Sequence, residues 1–483
     1  MNTSTEEAVR NKNNRDVVSF RKLVKDAAGR FSSLPKDTTV RLISHIDADG
    51  IASASIAIRA VERDNRSYLL STVQQLSAEV LEKLSKEDYS VYIFTDLGSG
   101  QTKDIAEKLA GRSVFILDHH DIPEQEFNSS YSNLVFVNPR LCGIDGGKEI
   151  SGAGVAYLFA KELDGRNRDL AHIAIIGAIG DVQENKGFLE INNAILEDAM
   201  QEGLIGVRKG LRLYGIQTRA IHKALEYSSD PFIPGVSGSE SGAFQLLNEA
   251  GIDPRKGSGW RTIAELSDEE MQKLVASVVL RRTGEADPDD VIGYFYTLLN
   301  EKNGSSLRDA KEFSTLLNAC GRLGVTSMGI GACLGDKKMK QKALQMHKEY
   351  KREIVTAMNW FRENQEAPDS IIKGKNYLIV NAQKKVMSTM IGTMLSILSK
   401  SNTYPEGMFM LGLARAEKNT TKISLRIAGY KNAVDLTDIM RRITAVVGGE
   451  AGGHMNAAGA MISSDSEQRF IEASKKVFEE SLG

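Results

Sequence analysis

From Thr38 onward, short runs of apolar and β-branched residues alternate with stretches whose apolar positions recur every three or four residues. The runs TVRLIS, VYIFTD, SVFILD and LVFVNP predict strands, and IASASIAIRAVE, SAEVLEKLSKE and QTKDIAEKLAG between them predict helices. Such alternation points to an α/β domain built on a mostly parallel sheet. Two further helices, Gly152 to Leu163 and Arg168 to Ile179, lead to Gly180-Asp181. Between about Asn192 and Asn364 strands are hard to find and the pattern turns helical, with Pro231, Pro234 and Pro254 marking loops and a basic helix, KKMKQKALQMHKEYK, over 337–351. A second α/β pattern starts at Lys373 with KNYLIVNA, MFMLGLARA and TKISLRIAG, and closes on the glycine-rich GGEAGGHMNAAGA. The expected organisation is a polar tail or peripheral helix over 1–35, a parallel-sheet domain over 36–215, a mostly helical insertion over 216–365 and a smaller α/β domain over 366–483.

Composition fits several packed domains: the 483 residues are 41% hydrophobic and 26% charged. No apolar run approaches the roughly 20 residues that cross a bilayer, and the polar start lacks the apolar middle of a secretory signal. A cytoplasmic protein without a membrane partner is expected. Cys142, Cys320 and Cys333 provide no disulfide framework and no CxxC zinc pair, and read as small buried hydrophobes. The net charge of −2 is not the footprint of a nucleic-acid binder, but from Ser370 to Lys431 ten Lys or Arg stand against only Glu406 and Glu417. That local excess includes Arg426 and precedes the glycine-rich run that starts at Gly448.

The candidate chemistry sits where the first strands stop. His45-Ile-Asp-Ala-Asp49, Thr95-Asp96 and Asp118-His119-His120 follow three of them, and ligands in open parallel sheets bind beyond those ends. Asp181 offers a fourth segment. An Asp-x-Asp pair in extended backbone aims both carboxylates the same way, so that each can serve one of two metal ions; the competing reading is that Asp49 caps the helix starting after Gly50. Carboxylates with one imidazole suit manganese or magnesium better than structural zinc. His172 reads as packed, and His222 and His347 have no metal-like spacing. In the second α/β part, the Gly448 to Gly453 run lets backbone N–H groups approach a phosphate, and Ser424 and Arg426 share one face of a strand.

HIDADG, FTDLGSG, the DHH triplet and IGD, in that order, resemble the four motifs of the DHH phosphoesterase superfamily. GGHMNAAGA, preceded by ISLR, resembles the DHH-associated C-terminal domain that binds substrate in RecJ-like nucleases and oligonucleotide phosphatases. NACGRLG from Asn318 to Gly324 is similar to archaeal RecJ-like proteins, some of which associate with the GINS complex or with a helicase. The resemblance implies that Asp47, Asp49, Asp96, His119 and Asp181 ligate two divalent ions, manganese first and magnesium as the alternative, with Asp96 bridging. It gives His120 a contact with the scissile phosphate, the competing role being support of His119 or another ligand. One departure stands out: no histidine stands four residues before Asp47, where the pyrophosphatase-like branch has a ligating His, while His45, two residues before Asp47, is an additional candidate. Gly452, Gly453, His454 and Asn456 join Ser424 and Arg426 as implied substrate contacts. The activity implied is that of a metal-dependent exonuclease on single-stranded DNA or RNA. A phosphatase of short oligonucleotides or small phosphates, and a replication scaffold with little or no catalysis, are the alternatives.

Overall fold

The computed structural model describes residues 3–481 apart from 124–130, 229, 285–286, 402, 430–433 and 455–456, and gives the backbone only for 3–15, 450 and 454. Helix α1 (Thr3–Ser32) precedes β1 (Val40–His45), α2 (Ala48–Arg63), β2 (Tyr68–Val73), α3 (Ala78–Ser85), β3 (Val91–Thr95), α4 (Thr102–Lys108), β4 (Ser113–Leu117) and β5 (Leu134–Val137). These strands form one all-parallel sheet of order β2-β1-β3-β4-β5, with Val40 opposite Val91 and Val91 opposite Ser113. Successive residues point to opposite faces, and both faces are covered. Leu42, Ile93 and Phe115 pack with α1, α2, α5 (Gly152–Leu163) and α6 (Ala171–Gly180), whereas Ile43, Phe94 and Ile116 pack with α3 and α4. The edge strand β2 is not among the predicted strands, because its residues are only part-buried and its sequence, YLLSTV, lacks a sustained apolar run.

The N-terminal segment is more than a tail or peripheral helix. Phe20, Val24, Ala27, Ala28 and Phe31 of α1 are buried in the first core, and the Phe31 ring meets Phe115 and Phe159 edge-on at 5.4 and 5.7 Å. Burying each phenylalanine contributes roughly 1.5–3 kcal/mol, so the second half of α1 helps to hold the sheet.

After α7 (Glu190–Gln201), the expected helical stretch begins with a strand. β6 (Ile205–Leu211) pairs antiparallel with β9 (Ile292–Leu298), from Ile205↔Leu298 to Leu211↔Ile292. Between them lie α8 (Ile221–Glu226), α9 (Glu240–Glu249), the short β7 (Arg255–Lys256) and β8 (Gly259–Trp260), and α10 (Asp268–Arg281), around a core of their own that includes Leu225, Leu246 and Leu274. The β6 sequence IGVRKGL hides its strand character behind two glycines and two cations. α11 (Ala310–Arg322) and α12 (Thr326–Cys333), expected within the insertion, instead pack on α2 and α6, and Phe313, Leu316, Leu317 and Cys320 belong to the first core. The inserted domain is therefore shorter than 216–365.

The chain divides into two compact units at Gln345/Met346, a boundary that falls within α13 (Lys337–Glu363). The second unit adds β10 (Ile371–Lys373), β11 (Tyr377–Gln383), α14 (Ile391–Ser399), β12 (Phe409–Arg415), β13 (Thr420–Ile427), α15 (Leu436–Val447), β14 (Glu450–His454), β15 (Ala457–Ser463) and α16 (Glu467–Glu480). Its sheet has the order β10-β11-β12-β13-β15-β14, with β11 and β12 parallel and the other pairs antiparallel. Ile423, Leu425 and Ile427 face the core made with α15 and α16. Alternation along β13 turns Lys422, Ser424 and Arg426 to the other face, where α14 packs. Cys320 and Cys333 are buried and all three thiols are free. Among the described residues no helix is long and apolar enough to cross a membrane.

Candidate metal centre

The loop after β1 builds half of the site by helix capping. Asp47, in extended conformation, is the N-cap of α2, and its Oδ1 accepts the Gly50 N–H at 2.9 Å. The cap is thus Asp47 and not Asp49. Asp49 lies in the first turn of α2 rather than in extended backbone, and its carboxylate reaches across to the start of α5, accepting the N–H groups of Gly152 at 2.6 Å and Ala153 at 3.0 Å. Oriented N–H groups at a helix N-terminus favour negative charge there. Asp96 follows β3 with φ +59° and Val182 follows Asp181 with φ +60°, so left-handed backbone adjoins the site at two non-glycine positions, each costing of order 1–3 kcal/mol.

Four chain segments bring six side chains together in two groups. In one, His45 Nδ1 lies 3.0 Å from Asp47 Oδ2 and 3.6 Å from Asp96 Oδ2. In the other, His119 Nε2 lies 3.7 Å from Asp49 Oδ2, 3.3 Å from Asp96 Oδ1 and 3.3 Å from Asp181 Oδ2. Asp96 presents one oxygen to each group. Both Asp96 oxygens, His45 Nδ1 and His119 Nε2 are buried and lack hydrogen-bond partners. Buried polar atoms rarely stay unsatisfied without a reason, and an ion is one. His119 Nδ1 is 2.7 Å from the Gly146 carbonyl, which fixes the proton on Nδ1 and leaves the Nε2 lone pair facing the carboxylates.

The electrostatics also call for a cation. Burial, then the charges of Asp96 and Asp181, push the Asp49 carboxyl well above its ordinary range. Burial, reinforced by Asp96 and Asp47 and opposed by His119, raises Asp181 to about 7. Burial works against charging His119, but Asp96, Asp181 and Asp49 outweigh it and raise the imidazole well above its ordinary value. Crowded carboxylates relieve their repulsion by binding protons or metal ions. Oxygen donors with one imidazole in each of these two groups fit hard divalent ions such as Mn2+ or Mg2+, and Asp118 and His120 lie close enough to Asp96 and His119 to form a further candidate group.

Asp118, which the sequence motifs do not place among the ligands, organises the third segment. Its Oδ1 accepts the His119 N–H at 2.8 Å and lies 2.7 Å from His120 Nδ1, and its Oδ2 accepts the Ser99 N–H at 2.9 Å. Burial would raise this carboxyl, yet His120 and His119 beside it hold it well below the usual carboxylate range. His120 is thereby oriented from behind. Glycines clear the space. A Cβ on Gly152 would stand 2.6 Å from Asp96 Oδ1 and 2.8 Å from Asp96 Cβ, and one on Gly177 would overlap Asp49 Oδ1. Asn318, on α11, accepts the N–H of Ala48 at 3.1 Å. The Asp-His-His triplet itself could have flagged Asp118; the NACGRLG segment points to Asn318 without saying what it touches, and nothing local in the sequence marks Gly152 or Gly177 as neighbours of the cluster.

In the second unit, Ser424, Gly459 and Gly452 stand in one cross-strand row of β13, β15 and β14, and Arg426 shares the Ser424 face. Arg426 Nε donates to Ser396 Oγ at 3.0 Å, and Nη1 donates to the Leu425 carbonyl at 2.8 Å. Gly453 has φ +137°, and a Cβ there would overlap the Ala457 carbonyl, so glycine is required. The backbone of His454 ends β14, while its side chain, and Asn456 as a whole, lie outside the described residues.

A parallel α/β sheet with this cluster at its strand ends defines the class, and the chain belongs to the DHH family. Residues 39–179 match the N-terminal domain of the DHH family, 213–292 the DHH-CID domain and 374–480 the DHHA1 domain. An uncharacterized protein of Methanocaldococcus jannaschii is 31% identical over 450 residues, covering 92% of this chain and 94% of that one. Among solved structures, CDC45 from Entamoeba histolytica superimposes with a TM-score of 0.60 at 14% identity, covering 96% of this chain and 98% of that one. RecJ from Thermus thermophilus in complex with Mn2+ gives 0.58 at 16% identity, covering 95% of this chain and 55% of that one. The chain thus corresponds to about half the length of that RecJ. Exonuclease RecJ bound to manganese gives 0.55 at 15% identity, covering 94% and 93%. The fold is RecJ-like.

Proposed function

We propose that the protein is a divalent-metal-dependent phosphodiesterase that shortens single-stranded DNA or RNA from an end. The observation that carries this reading is that Asp96 presents one oxygen to His45 and the other to His119, with buried carboxylate and imidazole atoms that lack hydrogen-bond partners. Asp47, Asp96 and His45 would hold one ion, and Asp49, Asp96, His119 and Asp181 the other. When bound, two divalent ions supply a nucleophile from water near neutral pH and neutralise charge on the phosphoryl oxygens. Manganese is the ion we assign, with magnesium as its substitute.

The chain's own residues do the rest. Asp118 orients His120, so that its Nε2 offers a hydrogen bond to a phosphate oxygen or a proton to the leaving oxygen. Ser424, Arg426 and the backbone of Gly452 and Gly453 grip the substrate backbone, with His454 and Asn456 as further contacts. Complete retention of the carboxylate set supports catalysis over a purely scaffolding role. Association with a GINS-like complex or a helicase, implied by the resemblance to archaeal RecJ-like proteins, belongs to the same proposal and is checked by co-purification. The decisive experiment incubates an end-labelled single strand with the protein and Mn2+. Stepwise shortening to mononucleotides is the expected result, whereas cleavage confined to very short oligonucleotides, or none at all, rejects the reading.

A further inference from the structure

Helix α11 touches both the inserted domain and the loops that deliver metal-centre side chains. At its middle, Asn318 Oδ1 accepts the N–H of Ala48, the residue between Asp47 and Asp49. One turn on, Gly321 packs so closely under the Ile46 carbonyl that any Cβ would overlap it. Beside Asp181, a Cβ on Gly180 would come within 3.2 Å of Ser314 Oγ, and Lys311 Nζ bonds Glu184 Oε1 at 3.1 Å. α11 therefore braces the loop before α2 and the turn after α6.

The opposite contact is made by Glu312, which is 2% exposed. Its Oε1 accepts the N–H of Gln217 at 3.3 Å, and its Oε2 accepts the Thr218 hydroxyl at 2.7 Å. Gln217 and Thr218 lie in the first loop of the inserted domain, after β6. Glu312 and Asn318 are six residues apart, about 9 Å along a helix. Over that distance a packed helix moves as a rigid body. A displacement of the loop at Gln217 is passed to Ala48, because a buried carboxylate and a buried N–H cannot cheaply give up their partners.

We propose that α11 is a relay by which the inserted domain sets the placement of Asp47 and Asp49, with Glu312 and Asn318 as positioning residues. The affinity of the centre for divalent ions then depends on how the insertion is held, although neither residue touches ion or substrate. This rests on the metal-centre reading above. It gives the insertion a part in the site that a mere attachment surface lacks.

The test is calorimetric titration of Mn2+ into the full chain, with melting curves recorded in parallel. Asn318→Ala should weaken Mn2+ binding about 10-fold or more, the usual effect of removing a group that orients a ligand. Asn318→Asp, which keeps the acceptor, should restore it. Glu312→Ala and the gentler Thr218→Val should each weaken binding about 3- to 10-fold. Along one relay, the effect of combining Glu312→Ala with Asn318→Ala should fall short of the product of the single effects. Thr218→Val removes one hydroxyl from a part-buried site, so it reports on the relay even where a larger truncation fails to fold. Wild-type uptake with unchanged affinity in Asn318→Ala and Thr218→Val, or single effects that simply multiply, overturns the relay alone. A wild-type chain that takes up no Mn2+ overturns the metal-centre reading and the relay with it.

Discussion

The N–H of Gly152 donates to Asp49 Oδ2 at 2.6 Å, although 103 residues separate the two. The bond ties the start of one helix to a carboxylate on another, and it is possible only because residue 152 has no side chain. Gly152→Ala would place a methyl group 2.6 Å from Asp96 Oδ1 and 3.0 Å from Asp49 Oδ2. We expect it to displace both carboxylates and to lower hydrolysis about 100-fold, the effect of a misplacement of roughly 1 Å. Circular dichroism should remain that of the native fold. Full activity in this variant would contradict the packing described for the centre.

Asp96→Ala should abolish hydrolysis and also remove the rise in melting temperature that Mn2+ produces in the native chain. A ligand that binds only the folded state stabilises it in proportion to its affinity. Without metal the variant should melt no lower than the native chain, since Asp96 is one of the charges that push the Asp49 and Asp181 carboxyls upward. Differential scanning fluorimetry with and without Mn2+ measures both effects; a preserved Mn2+ shift would exclude Asp96 as a shared ligand.

Arg426→Ala should weaken binding of a single strand and flatten its dependence on salt, lowering the logarithmic slope by about 0.7 because one phosphate is no longer neutralised. Binding of Mn2+ should not change. Fluorescence anisotropy at several salt concentrations gives the slope, and an unaltered one means that Arg426 touches no phosphate.

Acid should destabilise both units through two histidines, the part-buried His172 and the buried His347. Burial holds His172 and His347 down to about 4, against 6.5 for the free imidazole. The unfolded chain therefore binds a proton at each position that the folded chain refuses, so stability is full above about pH 6.5 and is lost as pH falls toward 4. His172→Leu should flatten this acid limb in the first unit and His347→Leu in the second. Melting temperatures recorded between pH 7 and 4 check it; equal acid sensitivity in native and substituted chains would remove these imidazoles from the account.

Much of the frame is legible in the sequence because parallel strands buried on both faces leave continuous apolar runs. β1, β3, β4 and β5 lie where TVRLIS, VYIFTD, SVFILD and LVFVNP put them, and the motifs at their ends meet. β2 and β6 are not legible, one half-exposed at an edge and the other diluted by glycine and cations. α1 reads as peripheral because its polar first half masks Phe20, Val24 and Phe31. Within the centre, the Asp-x-Asp pair does reach the cluster, but not from extended backbone: Asp47 caps its own helix and Asp49 accepts the first N–H groups of α5. Long-range neighbours such as Gly152 and Gly177 carry no local periodicity, so they emerge only once the chain is folded, and the contact of Asn318 with Ala48 emerges with them.

The pairing of β6 with β9 sets Leu211 beside Ile292, so the chain leaves for the inserted domain and comes back through one doorway. The 80 residues from 212 to 291 have their own core, and their two ends are a single strand spacing apart, about 5 Å. To the rest of the unit such an insert is topologically equivalent to a hairpin turn, and lengthening a closed loop costs only about 0.6 kcal/mol per doubling. Lineages can therefore exchange, enlarge or delete this module without redrawing the parallel sheet, and an engineer can replace it with a two-residue turn. What such a swap would leave behind is the Glu312 carboxylate, stripped of Gln217 and Thr218, as the scar of the missing piece.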